Sequence, residues 1–536
     1  MVLPGWLRGR SRPRGGFVAP AAAELEAAKQ LLAGGQTEAA IERLRRALEL
    51  DPRHVEAARE LAVAWHALGD ADQAEHFARL AIEHDPGSAE LRLHLGNVLR
   101  GTGRHEEALD CCREAVRLDP ALARAHNNLG NAYRDLGRTN EGTAALREAI
   151  RIDPGLWEAH YSLAVALREA GDRAAAAEHI GAALERRPDF AQGWLDLGLL
   201  RYLEGDLAEA RAHFDRAIAE KPDFAEAHVS RALQRLAQGD FAAGWEEYEW
   251  RLQLDYVRRK GLFAGKPRWD GSPLAGRTLL LYGEQGFGDT LQFFRYAPLA
   301  AARGGGRVVV CCLSDLKALL SRNPGVDEVL GFDDPIPPFD LCLPLLSLPR
   351  VFGTTLETVP AEVPYVYADP GKSRRWAERL AADGMALKVG LVWASGPKST
   401  RSIPLRELAP LAGVPGVSFY SLQRGDAARE ADEAPGGLRV RDLTAGLADF
   451  SDNAALLASL DLLIAADTSV AHLAGAMGMP VWTLHNDPAD WRWLLDREDS
   501  PWYPTMRLFR VARAGDWAGV AAKVASALGA LVRERR

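Results

Sequence analysis

The sequence predicts a helical repeat solenoid in the first half of the chain and an α/β region with parallel sheets in the second half. Two observations lead to this fold class. Prolines and glycines recur every 34 residues as far as Gly239. Further along, residues 461–485 form an apolar strand, a turn, a helix of small apolar residues and a second apolar strand, which is typical of a parallel sheet.

The recurring positions hold the residue types that a pair of packed helices needs. A glycine ends the first helix of each unit, a small residue lets the second helix pack closely, and a proline closes the unit. These positions are Gly35, Gly69, Gly103, Gly137, Gly171, Gly205 and Gly239, then Ala47, Ala81, Ala115, Ala149, Ala183 and Ala217, then Pro52, Pro86, Pro120, Pro154, Pro188 and Pro222. The period resembles that of tetratricopeptide repeats, and the resemblance extends over residues 21–256 as about seven repeats.

The last repeat departs from the pattern. Arg251 stands where the other repeats have alanine, and Tyr256 stands where they have proline. Such departures are typical of a terminal capping repeat. Because repeat arrays commonly bind other chains and rarely carry chemistry, the array predicts a protein or peptide partner, with a plain scaffold as the alternative.

One helix of the array carries three asparagines, Asn127, Asn128 and Asn131. They resemble the asparagines in the repeats of O-linked N-acetylglucosamine transferases, where an asparagine ladder holds the backbone of the acceptor peptide. The resemblance implies an acceptor or partner groove at these residues. Neighbouring repeats do not continue the ladder, since the positions that match Asn128 are His94, Ser162 and Asp196. Ordinary polar groove residues are therefore the alternative interpretation.

The composition limits the classes of function. The chain has 536 residues, of which 47% are hydrophobic and 26% are charged, as in ordinary globular proteins. A net charge of −8 argues against nucleic acid as a partner. The five cysteines form no C-x-x-C pair, so we expect neither a zinc site nor disulfides, and we predict a reducing, cytoplasmic location. No apolar run approaches the ~18 residues of a transmembrane segment.

The N-terminal 20 residues are basic. They contain Arg8, Arg10, Arg12 and Arg14 but lack the apolar segment of a secretory signal. We expect residues 1–20 to form a disordered tail, with contact to an anionic membrane surface as the alternative.

The second half is predicted to contain two α/β lobes after a Gly/Pro-rich connector at 257–275. The first lobe, 276–366, has strands predicted at Thr278–Tyr282, Arg307–Cys312, 326–332 and 341–345, a glycine-rich turn at 283–289 and a helix at 290–302. A hinge is expected at 359–371. The second lobe, 367–512, has strands predicted at 388–394, 418–423, 439–443, Leu462–Ala466 and 481–484 and a helix at 453–460. A terminal helix is expected within 513–536, over residues 517–532.

The turns exclude several common nucleotide sites. Residues 283–289, GEQGFGD, do not match G-x-G-x-x-G, and no acidic residue ends the strand Arg307–Cys312, so a dinucleotide dehydrogenase is not expected. Residues 396–400 lack the spacing of a P-loop. The D-x-D signature of metal-dependent glycosyltransferases occurs only at residues 70–72, in a repeat turn, so no metal site is predicted.

Five motifs of the second half resemble those of glycosyltransferases of the B fold, in particular the ADP-heptose:lipopolysaccharide heptosyltransferase family. More closely, the chain resembles bacterial proteins that join tetratricopeptide repeats to such a domain. The motifs are GEQGFGDTLQFFRY (283–296), GLVWASGPKSTRSIPL (390–405), FYSLQRG (419–425), AADTSVAHLAGAMGMPVW (465–482) and DWRWLLDREDSPWYPTMRLFR (490–510). The resemblance implies two Rossmann-like lobes around a cleft, a nucleotide sugar as co-substrate, and no cofactor or metal.

In that family the glycine-rich turn after the first strand carries a catalytic aspartate, and Asp289 occupies its place. The resemblance implies a general base that takes the proton of an acceptor hydroxyl as its oxygen attacks the anomeric carbon. Asp289 followed by Gln292 also fits a helix N-cap with a partial capping box, which is the structural alternative.

The turn after the strand Leu462–Ala466 predicts a phosphate site. The first amides of the following helix are unpaired and lie at the positive end of its dipole. The family binds the nucleotide diphosphate at the position of Thr468, Ser469 and Val470, and the resemblance adds Asp467 and His472 as contacts to sugar and phosphate. The alternatives are an N-cap for Asp467 and a helix histidine with satisfied hydrogen bonds for His472.

A cation is expected to offset the charge of the departing diphosphate. Arg401 and Lys398 lie in the loop after the strand at 388–394, where the family places a phosphate-contacting base and small hydroxyl residues such as Ser395. Arg401 is the first choice, because its planar fork can hold two oxygens. Gln423 is a candidate contact of the nucleoside. Solvated loop charges and loop hydrogen bonding are the alternatives.

Aromatic residues cluster between positions 482 and 502. Aromatic faces stack on sugars and bases, but they also fill interfaces between lobes, and packing is the preferred interpretation here. The cluster consists of Trp482, Trp491, Trp493 and Trp502, beside Arg492 and Arg497.

The first lobe is short, and in lipopolysaccharide enzymes this lobe holds the lipid acceptor. We therefore expect the repeats to recognise the acceptor and the acceptor to be a protein. The sequence thus predicts a cytoplasmic, metal-independent glycosyltransferase that moves a sugar from a nucleotide donor to an acceptor recruited by the repeats. Two alternatives stay open: a non-catalytic repeat adaptor with a degenerate transferase-like domain, and a transferase for cell-surface glycan or lipopolysaccharide.

Overall fold

The computed structural model describes residues 18–381, 387–396, 399–513 and 515–535. The chain divides into two compact units, the first ending at Leu200 and the second beginning at Arg201. Residues 18–20 of the predicted tail belong to the first helix, so the expected disorder is wrong for them, while residues 1–17 lie outside the described residues. Among the described helices, none combines the length and the apolar character needed to cross a membrane.

Pairs of helices make up the first half of the described chain. They are α1 (Val18–Ala33), α2 (Thr37–Leu50), α3 (Val55–Ala67), α4 (Ala71–His84), α5 (Ala89–Gly101), α6 (His105–Leu118), α7 (Ala123–Asp135), α8 (Thr139–Ile152), α9 (Trp157–Glu169), α10 (Arg173–Arg186), α11 (Ala191–Leu203), α12 (Leu207–Glu220), α13 (Ala225–Ala237) and α14 (Phe241–Tyr248). The recurring glycines follow the first helix of each pair with φ between 72° and 89°. This left-handed conformation favours glycine, which explains why glycine recurs there.

Small residues let the helices of a pair approach closely. Gly130 on α7 faces α8, and a Cβ atom added to it would lie 2.5 Å from Leu146 Cγ and 2.9 Å from the carbonyl oxygen of Gly142. The alanines that recur every 34 residues, from Ala47 to Ala217, are completely buried. The predicted close packing is thus present in the repeats.

A four-stranded parallel sheet opens the α/β region. Its strands are β1 (Thr278–Tyr282), β2 (Arg307–Cys312), β3 (Glu328–Gly331) and β4 (Leu341–Pro344), in the order β3-β2-β1-β4. The accompanying helices are α15 (Asp255–Lys260), α16 (Phe287–Phe293), α17 (Ala297–Ala301), α18 (Ser314–Leu320) and α19 (Leu348–Val351). The predicted bounds of β1 and β2 are confirmed, whereas β3 and β4 are shorter than predicted.

A second parallel sheet has six strands. They are β5 (Leu387–Val392), β6 (Val417–Ser421), β7 (Val440–Asp442), β8 (Leu462–Ala466), β9 (Val481–His485) and β10 (Met506–Arg510), in the order β10-β9-β8-β5-β6-β7. The helices are α20 (Pro370–Ala381), α21 (Phe450–Leu457), α22 (Ser469–Ala476) and α23 (Trp517–Glu534). The strand–turn–helix–strand prediction for residues 461–485 is confirmed.

Helix α21 and the strands β5, β6 and β7 differ from their predicted bounds by one to three residues. Three further elements differ more from the prediction. The helix predicted at 290–302 begins at Phe287 and is interrupted by a 3-10 turn at Phe294–Tyr296. Asp289 is therefore inside the first turn of α16, where its carboxylate accepts a hydrogen bond of 3.0 Å from the Gly286 amide, and the N-cap interpretation of Asp289 is wrong. Helix α20 begins at the end of the predicted hinge, and β10 follows the aromatic segment. Neither element was predicted.

The last repeats belong to the second unit because their aromatic side chains pack on the α/β region. The Trp245 ring lies 5.2 Å from that of Trp491 and 6.1 Å from that of Phe293, and the Phe241 ring lies 5.8 Å from that of Trp502. Trp491 and Trp502 thus serve packing, as predicted. The predicted domain limits at 256, 275, 366 and 512 stay predictions.

Candidate functional site

A cavity of about 720 Å³ lies at the carboxyl ends of the strands of both sheets. Residues 286–289, at the start of α16, follow β1, and Asp315 follows β2. Residues 394–396 and Arg401 follow β5, and residues 422–427 follow β6. Residues 467–470 follow β8, and Asp490 and Arg492 follow β9. Ligands of parallel α/β proteins bind at this edge of the sheet, so the cavity is the candidate functional site.

The structure brings together the residues that the sequence predicted for the transferase site. The cavity is lined by Asp289, Ser395, Arg401, Gln423, Asp467, Thr468, Ser469, Val470 and His472. Lys398 lies outside the described residues.

The N-terminus of α22 forms one wall. Thr468 is the N-cap residue in extended conformation, and its hydroxyl makes no capping hydrogen bond. Thr468 is buried, and its Oγ1 has no hydrogen-bond partner among the residues that the structure describes. The first amides of a helix also lack partners within the helix, so this wall offers donors to an anion.

Arg401 and Asp467 form a charged pair beside this wall. The Arg401 guanidinium is about half exposed and lies 3.8 Å from the Asp467 carboxylate, which is buried. Burial raises the pKa of the Asp467 carboxyl above its ordinary value, and the nearby Asp490 carboxylate raises it further, while Arg401 opposes both effects. An incoming anion would find Arg401 accessible and Asp467 withdrawn from solvent.

His472 is a buried helix residue, which was the structural alternative for it. Its Nδ1 lies 2.9 Å from the Tyr503 hydroxyl, and its ring stacks on that of Trp493 at 5.3 Å. Burial holds the pKa of His472 well below its ordinary value, so the imidazole is neutral. A Cβ atom added to Gly288 would lie 2.9 Å from His472 Cδ2, so glycine allows α16 and α22 to meet here.

Arg492 is a cavity residue that the sequence indicated only as a neighbour of the tryptophan cluster, without a role of its own. Its Nε donates to Gln292 Oε1 at 2.7 Å, one Nη donates to Asp490 at 2.9 Å, and the other forms an ion pair with Asp289. Burial opposes the charge, but the Asp490 and Asp289 carboxylates more than offset it, and the pKa of Arg492 is raised. No motif signals this role, because Arg492 and Asp289 are 203 residues apart.

Asp289 is held from two sides. Its Oδ2 accepts the Gly286 amide at 3.0 Å, and its Oδ1 pairs with Arg492, while the side chain stays about one fifth exposed. A carboxylate has about four acceptor positions, so two remain for a ligand. The Asp289 carboxylate is thus fixed in position and keeps access to the cavity.

Gln423 and Ser395 form hydrogen bonds within the cavity loops that follow β5 and β6. The Gln423 side-chain oxygen accepts the amides of Trp393 and Ala394 at 3.0 and 2.8 Å, and its amide nitrogen donates to the Arg424 carbonyl at 2.9 Å. The Ser395 hydroxyl donates to Ser399 Oγ at 2.6 Å. The side chain of Gln423 is thus engaged in hydrogen bonds within the loops, which was the alternative to a contact with the nucleoside.

The three asparagines lie in the first unit and join neighbouring repeats. Asn128 donates to Asn97 Oδ1 at 3.1 Å, and Asn131 donates to Ser162 Oγ at 3.1 Å. Asn127 donates to Asn128 at 3.2 Å, while its own buried Oδ1 is without a partner within the described part of the chain. Polar links between repeats are therefore their visible role.

Comparison with known proteins identifies the repeats. Tetratricopeptide-repeat family models match residues 31–93, 96–137, 123–156, 161–225 and 205–249. The first half of the chain is thus an α-helical tetratricopeptide-repeat solenoid, and a parallel-sheet α/β region follows it. Repeats of this class bind proteins or peptides.

One curated relative is Protein FlbA of Caulobacter vibrioides (strain ATCC 19089 / CIP 103742 / CB 15), which is 29% identical over 313 residues. The match covers 53% of this chain and 52% of the relative, so the chain spans about half the length of the protein that it matches.

Several solved structures are similar over part of the chain. PilW, described as a type IV pilus biogenesis factor, is 22% identical and covers 39% of this chain and 98% of its own, with a TM-score of 0.36. PilF of Pseudomonas aeruginosa is 22% identical and covers 41% of this chain and 99% of its own, also with a TM-score of 0.36. YrrB, described as a tetratricopeptide protein with an unusual peptide-binding site, is 21% identical and covers 35% and 98%, with a TM-score of 0.28.

Proposed function

We propose that the α/β region is a glycosyltransferase with two Rossmann-like lobes of the B fold. It transfers a sugar from a nucleoside diphosphate sugar to a protein or peptide acceptor that the repeats recruit. The observation that carries the proposal is the single cavity at the carboxyl ends of both sheets, which collects nine residues that the transferase motifs predicted. Those residues come from positions 289 to 472 of the chain.

The second sheet supplies the donor side. The α22 amides and the Thr468 hydroxyl, which has no hydrogen-bond partner among the described residues, offer hydrogen bonds to a diphosphate. Arg401 offers a charge that solvent can reach. A diphosphate gains negative charge as the sugar departs, and donors already in place stabilise that charge. The proposal therefore assigns the leaving group to protein donors and requires no metal.

The first sheet supplies the acceptor side through Asp289. The acceptor hydroxyl oxygen forms a bond to the anomeric carbon, the bond from that carbon to the diphosphate breaks, and the hydroxyl proton passes to the Asp289 carboxylate. The Arg492 guanidinium and the Gly286 amide hold the Asp289 carboxylate in position before the reaction. Asp289 is the catalytic residue of this proposal.

The donor site is tested by calorimetric titration of the full chain with ADP, UDP, GDP and CDP. We expect saturable binding of one diphosphate, and Arg401→Ala should weaken it by about 10- to 100-fold, since a charge-assisted hydrogen bond is lost. Arg406→Ala is the matched control, because this arginine is about three quarters exposed and lies outside the cavity. Failure of all four nucleotides to bind would sink the proposal.

A second candidate is a repeat adaptor whose transferase-like region binds a nucleotide sugar without turnover. The pairing of Asp289 with both Arg492 and the Gly286 amide favours it, since structural carboxylates have such partners. Asp289→Asn separates the candidates. A catalytic base predicts unchanged diphosphate binding with lost transfer to acceptor protein, whereas the adaptor predicts no transfer by either form. Sugar transferred to lipid instead of protein would favour a cell-surface glycan transferase.

A further inference from the structure

We propose that the last tetratricopeptide repeat is part of the active site, with Arg251 and Tyr248 as positioning residues for the turn that carries Asp289. Arg251, Tyr248 and Asp289 all lie in the second unit. The consequence for turnover rests on the glycosyltransferase function proposed above.

Arg251 extends from the last repeat into the α/β region. It stands where the other repeats have a small alanine, and only about 1% of its surface is exposed. Its Nε donates to Glu284 Oε1 at 2.8 Å, and one Nη donates to Ser347 Oγ at 2.8 Å. The other Nη donates to Glu249 Oε1 at 2.7 Å. The departure from the repeat pattern is thus explained by a buried ion pair, not by capping alone.

Glu284 is the second residue of the glycine-rich turn, five positions before Asp289. It is buried, and its second carboxylate oxygen has no hydrogen-bond partner in the part of the chain that the structure describes. Burial raises the pKa of Glu284, and Arg251 opposes this shift. A buried carboxylate depends on its cation, because without it the charge is left uncompensated. Arg251 therefore holds the start of the turn in place.

Tyr248 holds the same turn at its next residue and also supports the partner of Asp289. Its hydroxyl accepts from Gln285 Nε2 at 3.2 Å, and its ring lies 6.4 Å from that of Trp491. The Arg492 guanidinium lies over the Trp491 ring at 4.4 Å and pairs with Asp289. The last repeat thus reaches Asp289 by two routes, one through the turn and one through Arg492.

The geometry has a chemical consequence. A general base must stay within hydrogen-bond reach of the attacking hydroxyl, and a displacement of about 1 Å can reduce the rate by about 10²-fold. Within the described residues, the hydrogen bonds of Arg251 go to Glu284, Tyr248, Glu249 and Ser347, and none of these lies in the donor wall at α22. Loss of Arg251 should therefore reduce kcat for transfer while the KM for the donor stays unchanged.

The positioning is tested by amide hydrogen exchange of the full chain, measured by mass spectrometry on peptides that cover residues 283–292. We expect Arg251→Met to speed exchange there by about 10-fold, Arg251→Lys to restore part of the protection, and peptides of β8 and α22 to stay unchanged. Arg350→Met is the matched control. It breaks an exposed pair between Arg350 and Glu246 of α14, at 2.7 Å, which joins the same repeat to the α/β region away from the turn.

Unchanged exchange at residues 283–292 in Arg251→Met, or an equal change in Arg350→Met, would overturn the inference. Tyr248→Phe is the second variant if Arg251→Met does not fold, since it removes only the hydroxyl that accepts from Gln285; it should speed exchange of the same peptides by a smaller factor. The hydrogen-exchange measurements test whether Arg251 positions the turn, and their result does not depend on whether the protein transfers sugar. Absence of diphosphate binding in the wild type would count against the proposed function alone, and a fall in kcat at constant donor KM supports both.

Discussion

The repeats and the α/β region differ in how far apart along the chain their contacting residues lie. In the repeats, the hydrogen bond from Asn128 to Asn97 joins residues 31 positions apart, about one repeat. In the α/β region, the ion pair of Arg492 with Asp289 joins residues 203 positions apart. The repeats are thus stabilised between neighbours, whereas the cavity depends on contacts between distant segments. A single substitution should therefore act locally in the first region and widely in the second.

The largest effect is expected from Arg492→Met. The change leaves the Asp289 and Asp490 carboxylates and the buried Gln292 oxygen without their cation, and breaking such a network costs about 3–5 kcal/mol of unfolding free energy. Urea denaturation followed by tryptophan fluorescence measures it. Arg497→Met is the control: its pair with Asp499 is largely exposed and should contribute about 0.5 kcal/mol or less. A loss below 1 kcal/mol in Arg492→Met would show that the distant contacts are dispensable.

Gly130→Ala tests local behaviour in the repeats. The new Cβ would lie 2.5 Å from Leu146 Cγ and 2.9 Å from a backbone oxygen, and such overpacking costs about 3 kcal/mol. We expect faster hydrogen exchange in α7 and α8 and unchanged diphosphate affinity in the cavity. A change in that affinity would mean that the two regions are coupled more strongly than neighbour contacts allow.

The buried His485 should make the stability of the α/β region depend on pH. Burial, aided by Arg510, lowers the pKa of His485 to about 3 in the folded protein, from an ordinary value of 6.5. The unfolded chain therefore binds a proton below pH 6.5 that the folded protein refuses. The contribution of His485 to the free energy of unfolding is complete above pH 6.5. It falls by about 2.7 kcal/mol between pH 6.5 and pH 4.5, since each pH unit costs about 1.36 kcal/mol.

Denaturant unfolding at pH 7, 6, 5 and 4.5 measures this dependence. His485→Gln should flatten it, because the variant has no proton to bind in the unfolded state. An identical pH profile for the variant and the wild type would contradict the assignment. His472, which is buried and neutral as well, adds loss in the same direction and remains in the variant.

The smallest effect is expected from Gly181→Ala, in the middle of α10. No atom of the described residues lies within 4 Å of a Cβ added there, beyond the helix's own backbone. The substitution should raise stability by about 0.5–1 kcal/mol, since alanine favours the helix over glycine. Gly181→Ala is the control for Gly130→Ala, because both replace a helix glycine by alanine but only Gly130 is closely packed. Equal destabilisation by both would contradict the interpretation that Gly130→Ala destabilises through close packing. Thermal unfolding by circular dichroism distinguishes them.

Much of the fold was predictable because its signals are local. The 34-residue period follows from repeats that contact only their neighbours, and β1, β2 and β8 were predicted with their observed bounds from short apolar runs. The turn before α22 was predictable for the same reason, since the start of a helix is determined by a few adjacent residues. The structure places nine of the ten predicted transferase-site residues around one cavity, and the tenth, Lys398, lies outside the described residues.

Tertiary structure alone decided how those residues are held. It paired Asp289 with Arg492 and Arg251 of the last repeat with Glu284. Neither contact is indicated by a period in the sequence, because the paired side chains belong to different elements and meet only when the sheets and the last repeat have packed. The sequence determined which residues are present at each strand end, and packing determined which charges face one another.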